Sequence, residues 1–186
     1  PKIYVSIDGP RENNYFDSEK ITEITQLLEK EIDWNTDIYI NHLDSNYGCG
    51  LGPRKGITWF FENEKAGIIL EDDCIPGESF FKFCDYLLPK YSNNKNIWLI
   101  SGDNGGPIVS EKHFKDYDYL FTRIPLIWGW ATWSDRWKKY NEELNFWQRG
   151  IFKNYSFFNH VSFFEKIIVS RICKGASKTK IKNFWD

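Results

Sequence analysis

Three consecutive acidic residues, Glu71, Asp72 and Asp73, directly follow the short apolar run at 67–70 (GIIL). A run of this kind predicts a buried strand. Adjacent carboxylates disfavour each other's ionised form, and a turn at a strand end can aim two or three of them at one point. Mg²⁺ or Mn²⁺ would relieve that repulsion, because these ions bind oxygen ligands, often one or two carboxylates together with substrate phosphates. The cluster therefore predicts a metal and phosphate site. The alternative is a solvated turn that caps the helix starting near Ser79.

Other patterns that could support chemistry are weaker. The glycine-rich stretch 48–55 lacks the GxxxxGK[ST] spacing and a correctly placed strand before it, which excludes a P-loop. Three acidic residues followed by Cys-Ile-Pro do not make an EF-hand, which needs oxygen ligands spread over about twelve residues. The four cysteines form no CxxC pair, so we expect reduced thiols rather than a zinc site or disulfides. They are Cys49, Cys74, Cys84 and Cys173.

The elements that would position the acidic cluster alternate between strand and helix. Short apolar runs predict strands at 2–7, 37–40, 67–70 and 97–100. Apolar residues at helical spacing predict helices at 19–32, with Ser18 as N-cap, from Ile57 towards Gly67, and at 80–91. We expect a loop at 44–56. This alternation predicts an α/β fold with a mostly parallel sheet and helices on both faces. Ligands bind such sheets beyond the carboxyl ends of the strands. We therefore expect Asp8, the 71–73 triplet and Asp103 to share one rim.

The pattern changes after residue 105. Residues 119–133 are aromatic and extended, and we expect a short helix at 135–140 and a longer one at 157–172. The Trp128-Gly129-Trp130 turn could form the wall of a sugar pocket, because aromatic faces suit sugar rings and glycine lets a ligand approach the backbone closely. Aromatic core packing is the alternative, and we favour binding for Gly129 and Trp130.

Length and charge narrow the class of protein. A chain of 186 residues suits one domain, which we divide into a ligand-binding half at 1–105 and an incomplete half at 106–186. A net charge of -2 argues against a nucleic-acid partner. The sequence contains no stretch of 18 apolar residues, so it predicts no membrane span. We expect a cytoplasmic location. Because the chain contains no Met and ends abruptly at Phe184-Trp185-Asp186, we expect it to be part of a longer protein.

Several segments resemble known glycosyltransferases. The stretch from Phe60 to Leu88, with its acidic triplet, Pro76 and Phe80-Phe81, resembles the donor-binding segment of N-acetylglucosaminyltransferase I and its relatives, which have the glycosyltransferase A fold. Residues 7–11 (IDGPR) and 127–133 (IWGWATW) resemble segments of bacterial nucleotide-diphospho-sugar transferases. The likeness extends in order over nearly the whole chain, and it is specific for the combination rather than for any one segment.

The resemblance implies roles for individual residues. Asp73 would bind the Mn²⁺ or Mg²⁺ ion that bridges the donor diphosphate, Asp72 would lie near the ribose, and Glu71 would hydrogen-bond the transferred sugar. The region from Asp8 to Arg11 would hold the nucleotide, with Arg11 contacting either base or phosphate. A plain surface arginine is the alternative for Arg11.

The resemblance also gives a role to the last residue. In relatives, a Trp-Asp pair precedes a further helix, and its Asp acts as general base on the acceptor hydroxyl in an inverting displacement. Trp185-Asp186 matches that pair, which makes Asp186 the candidate catalytic base; a frayed chain end is the alternative. If Asp186 is the base, this chain lacks the structure that would position it, so the longer parent could be active where this chain is not.

The function implied is a metal-dependent, inverting glycosyltransferase that moves a sugar from a nucleotide-diphosphate donor to a glycan acceptor, in bacterial surface-polysaccharide biosynthesis. One alternative is a non-catalytic carbohydrate-binding or scaffolding domain on the same fold. A nucleotidyltransferase is another alternative, but it normally needs a basic glycine-rich first loop, and the loop after Asp8 offers only Arg11.

Overall fold

The structure is a computed structural model that describes residues 1–103, 117–122 and 125–140. These residues form two compact units, Pro1–Ile57 and Thr58–Tyr140. In chain order the elements are β1 (Lys2–Ile7), α1 (Tyr15–Glu31), β2 (Asp37–His42), α2 (Gly48–Asn63), β3 (Ala66–Ile69), α3 (Glu78–Tyr91), β4 (Ile100–Ser101), β5 (Trp130–Trp133) and α4 (Ser134–Trp137). The predicted α/β class is confirmed. The predicted helix at 157–172 and Asp186 lie outside the described residues.

The first unit contains a parallel strand pair joined by a helix. β1 and β2 pair in parallel from Lys2 opposite Asp37 to Ile7 opposite His42, with α1 between them in sequence. The β-branched residues of both strands are partly buried, whereas Lys2, Ser6, Asp37 and His42 are exposed. α1 begins earlier than predicted, because the side chain of Asn14, not Ser18, accepts a hydrogen bond from the backbone N–H of Phe16 at 3.3 Å.

The helix α2 corrects the predicted loop at 44–56. It begins at Gly48 because the carboxylate of Asp8 accepts hydrogen bonds from the backbone N–H groups of Tyr47 and Gly48, each at 2.9 Å, and so satisfies donors that a helix start leaves free. Glycine lowers helix propensity, but here it permits close packing. A Cβ at Gly52 would lie 3.4 Å from the Asp8 carboxyl group, and one at Gly56 would lie 2.7 Å from Cβ of Ser6. Tertiary contact with the end of β1 therefore outweighs local propensity.

The sheet of the second unit is antiparallel, where the sequence predicted a mostly parallel one. Its strand order is β3-β5-β4, and both outer strands run antiparallel to β5. β5 comes from the aromatic segment that the sequence predicted to be extended but did not assign to the sheet. The predicted strand at 97–100 is reduced to the two residues of β4.

The core of the second unit lies between α3 and its sheet. Phe80, Cys84 and Leu87 recur along one face of α3 and are buried, as the helical spacing predicts. They cluster with buried residues of the sheet, namely Ile100, Ala131 and Trp133. This packing fixes α3 against the strands whose ends carry the candidate site.

A buried arginine caps the C-terminal end of α3. The Arg136 guanidinium is 4% exposed and donates hydrogen bonds to the carbonyl oxygens of Tyr91, Ser92, Asn94 and Ile97, at 2.9 to 3.3 Å. It also lies 4.1 Å from the centre of the Trp133 ring. Arg136 therefore adds a charged donor to carbonyls at and just after the end of α3 and joins this segment to β5.

None of the helices in the described part of the chain is long and apolar enough to cross a membrane.

Candidate functional site

Three chain segments meet at one end of the second sheet. Trp130, the first residue of β5, lies opposite both Ile69, the last residue of β3, and Ser101, the last residue of β4. The turns that follow β3 and β4 therefore lie beside the segment that precedes β5. Together with Phe80 of α3 they line an open cleft of about 460 Å³, formed by residues 70, 73–77, 80, 102–103 and 128–129. A cleft of this volume is the size of a small-molecule site.

The acidic turn contributes one carboxylate to the cleft. The carbonyl oxygen of Glu71 accepts a hydrogen bond from the backbone N–H of Cys74 at 3.0 Å, which closes a tight turn over residues 71–74. Asp73 is exposed and lines the cleft, whereas Glu71 and Asp72 do not line it. Of the three carboxylates of the triplet, the one at the cleft is therefore that of Asp73.

Electrostatic coupling within the turn is nevertheless present. Partial burial raises the pKa of the half-buried Glu71 carboxyl group, and the nearby charges of Asp73 and Asp72 raise it further. The three side chains therefore concentrate negative charge at the end of β3. A cation bound beside Asp73 would reduce this repulsion.

The donor set of the cleft fits one kind of metal site. Within residues 1–103, 117–122 and 125–140, no three or more His, Cys, Asp or Glu side chains are grouped so as to hold a metal ion. The cleft does contain two acidic residues, Asp73 and Asp103, on different segments. Hard carboxylate oxygens suit Mg²⁺ or Mn²⁺, which commonly bind one or two carboxylates and take their other ligands from phosphates and water. The residues present therefore fit a metal that is held jointly with a phosphate ligand.

The backbone beside Asp103 is fixed by short-range contacts. The Ser101 hydroxyl donates to the Asp103 carbonyl oxygen and accepts from the Asp103 N–H, both at 3.1 Å. The N–H of Gly102 donates to the carbonyl oxygen of Gly129 at 2.8 Å. A Cβ at Gly102 would lie 2.6 Å from the Phe80 ring, so glycine is needed for this approach. Asp73 and Asp103 therefore line the same cleft, whereas the sequence predicted one rim that also included Asp8, Glu71 and Asp72.

The aromatic turn places a different tryptophan at the cleft than we predicted. Gly129 lines the cleft and has φ of +69°, in the left-handed region that favours glycine. Trp130 is only 7% exposed, and its ring packs 6.3 Å from that of Trp137. Trp128 is 67% exposed and lines the cleft. In an extended chain residues 128 and 130 would face the same side, but the left-handed Gly129 breaks that alternation. Sequence periodicity could not show this break.

Asp8 and Arg11, which the sequence also predicted at the site, lie in the first unit, where both side chains have protein partners. Besides Tyr47 and Gly48, the Asp8 carboxylate accepts a hydrogen bond from the N–H of Gly9 at 3.1 Å. Arg11 donates from Nε and Nη2 to the two Asp17 oxygens, each at 2.7 Å, which lowers the pKa of Asp17 to about 2. Asp8 therefore supports the start of α2, and the exposed Arg11 closes a loop before α1. Nucleotide-binding roles for both stay predictions.

Comparisons of the chain with known protein families, with curated proteins and with solved structures found no match.

Proposed function

We propose that this chain is the donor-binding part of a metal-dependent glycosyltransferase with a glycosyltransferase A-like fold, acting on a nucleotide-diphosphate sugar and a glycan acceptor. The observation that carries the proposal is the exposed residue Asp73 at a cleft beside the ends of β3 and β4, which lie on either side of β5. The likeness of residues 60–88 to donor-binding segments supports the same assignment.

The charges at the cleft support metal dependence. Of the described residues that line it, the charged ones are Asp73 and Asp103, and both are acidic. A diphosphate that entered this cleft alone would meet like charge, which costs binding energy. Mn²⁺ or Mg²⁺ bound there would neutralise the diphosphate and stabilise it as a leaving group.

The roles of the chain's own residues follow from their places. Asp73 would hold the cation, and Asp103 would orient it or accept a hydrogen bond from a sugar hydroxyl. The backbone at Gly129 would allow the ligand close approach. Glu71 and Asp72 would act from the same turn on the sugar and the ribose, as the resemblance implies, and Asp186 stays the proposed base for an inverting displacement.

Calorimetry with a matched control tests the proposal. UDP and GDP should bind the wild-type chain in Mn²⁺ and lose most of their affinity in EDTA. Asp73→Asn should abolish metal-dependent binding, whereas Asp85→Asn, which removes an exposed carboxylate from the surface of α3, should leave it unchanged. Nucleotide binding that ignores both the metal and Asp73 would refute the proposal.

A second candidate is a non-catalytic carbohydrate-binding domain, and the exposed Trp128 at the cleft favours it. Such a domain would bind glycans with equal affinity in the presence and absence of Mn²⁺ and nucleotide. A glycan array probed under those conditions separates the two candidates.

A further inference from the structure

We infer that Trp128 is the stacking platform of a sugar subsite that accepts an uncharged pyranose ring and rejects a uronate. The inference rests on the proposed function for the chemical class of its ligand. The observations that carry it are the exposure of one indole, the rigidity of the backbone beneath it and the sign of the charges that face the same cleft.

The exposure of Trp128 differs from that of the tryptophans that follow it. Trp130 and Trp133, which follow it in β5, are 7% and 4% exposed, whereas Trp128 is 67% exposed. Ile75, on the turn after β3, lines the same cleft and is 96% exposed. Two large, exposed apolar side chains thus line the same cleft as the carboxylates of Asp73 and Asp103. An indole face beside hydrogen-bond acceptors is the arrangement that binds the apolar C–H face of a sugar ring while its hydroxyls donate to the acceptors.

The backbone that carries Trp128 is held in place. The carbonyl oxygen of Gly129 accepts a hydrogen bond from Gly102 at 2.8 Å, and the next residue, Trp130, is paired with both β3 and β4. A platform on a fixed backbone loses little entropy when a ligand binds. Trp128 is therefore placed for binding before a sugar arrives.

The charges at the cleft determine which sugars fit. Asp73 and Asp103 are acidic, and the described residues that line the cleft include no Lys or Arg. A uronate would bring its carboxylate into a field of like charge, whereas a neutral hexose offers hydroxyl donors to the same oxygens. The subsite should therefore bind neutral hexopyranosides at least about tenfold more tightly than the matched hexuronides.

The test uses neither metal nor nucleotide, so its outcome is independent of the donor site. Indole N–H signals of the ¹⁵N-labelled chain are followed while matched pairs of methyl hexopyranosides and methyl hexuronides of gluco, galacto and manno configuration are added in EDTA. The Trp128 signal is identified by its loss in Trp128→Phe. We expect it to shift with at least one neutral sugar, and with the matched uronate only at about tenfold higher concentration.

Variants make the result specific. Trp128→Ala should weaken sugar binding about tenfold or more, whereas Trp98→Ala, which removes a 51% exposed indole that does not line the cleft, should not weaken it. Asp103→Asn should reduce the difference in affinity between neutral sugars and the matched uronates. Equal or tighter uronate binding, unchanged sugar binding in Trp128→Ala, or no neutral sugar bound would each overturn the inference. Sugar binding at Trp128 without metal-dependent nucleotide binding would refute the proposed glycosyltransferase function but would support the sugar subsite.

Discussion

Asp73 and Trp128 line one cleft, although Asp73 follows β3 and Trp128 precedes β5. The antiparallel pairing of Ile69 with Trp130 brings these two strand ends together. A ligand whose metal ion is bound by Asp73 can therefore contact the Trp128 ring within the same cleft. This relationship connects the proposed phosphate site to the proposed sugar subsite.

Substitution of Gly102 should strain the base of the cleft. An alanine Cβ would lie 2.6 Å from the ring of the buried Phe80, so Gly102→Ala should lower the free energy of unfolding by about 2 kcal/mol, as overpacking does. Gly77→Ala is the matched control, because its Cβ would meet only the Ser79 hydroxyl at 3.8 Å, and it should cost less than about 1 kcal/mol. Urea denaturation measures both. Equal losses would contradict the close contact at Gly102.

Removal of the Arg136 guanidinium should destabilise the second unit strongly. Arg136→Met keeps the apolar stem but removes the buried guanidinium that donates to four carbonyl oxygens between residues 91 and 97, which should cost about 3 kcal/mol. Arg11→Met, at a 63% exposed side chain paired with Asp17, should cost much less, because solvent screens this pair. Thermal and urea unfolding should separate the two variants, and a small loss for Arg136→Met would show that its hydrogen bonds contribute little.

The ion pairs of Asp135 should give a defined acid dependence. Hydrogen bonds from Lys95 and then Arg136 lower the pKa of Asp135 from 3.8 to about 2. Because the folded pKa is depressed, this contribution to stability is complete above the unfolded value and is lost as pH falls through the folded one. The stability difference between wild type and Asp135→Asn should therefore be constant near neutral pH and shrink below about pH 4.

The side chain of Asp135 is 46% exposed, so solvent limits its contribution to about 1 kcal/mol at most. Urea titrations of both proteins at a series of pH values measure the difference. If the difference in unfolding free energy between wild type and Asp135→Asn increases as the pH falls, Asp135 is not held as an anion by Lys95 and Arg136.

Native-state thiol reactivity should distinguish the cysteines. Burial raises the pKa of Cys84 to about 12, and its side chain is fully buried, so it should resist a thiolate-selective reagent until the protein unfolds. Cys49 is exposed and should react readily. Mass spectrometry of peptides after brief labelling reads out both sites. Rapid labelling of Cys84 in the folded protein would contradict the packing of α3.

Local sequence patterns correctly predicted the elements whose apolar residues are spaced to match the face that the structure buries. The bounds of β1 match the prediction, and α3 buries Phe80, Cys84 and Leu87 as the helical spacing indicated. The placement of Asp73 and Asp103 at one cleft followed from their positions after two strands of one sheet. The start of α2 could not be predicted, because it depends on the distant Asp8 carboxylate and on glycines packed against β1.

The candidate site was only partly legible for a similar reason. The sequence identified Asp73 and Gly129, but it selected Trp130 rather than Trp128 as the tryptophan at the cleft. Which indole is exposed depends on the left-handed conformation of Gly129 and on the antiparallel insertion of β5, and neither leaves a periodic signal. For the acidic triplet, the residue types alone do not show which carboxylate faces the cleft; the resemblance implied Asp73, and the turn at residues 71–74 places Asp73 there.

The most direct test of the central claim is anomalous diffraction from crystals grown with Mn²⁺ and a nucleotide diphosphate. We expect an anomalous peak within coordination distance of the Asp73 carboxylate, roughly 2 Å as for hard divalent cations, and in contact with the diphosphate oxygens. Bound nucleotide with no manganese at Asp73, or manganese bound only at a site remote from this cleft, would contradict the account.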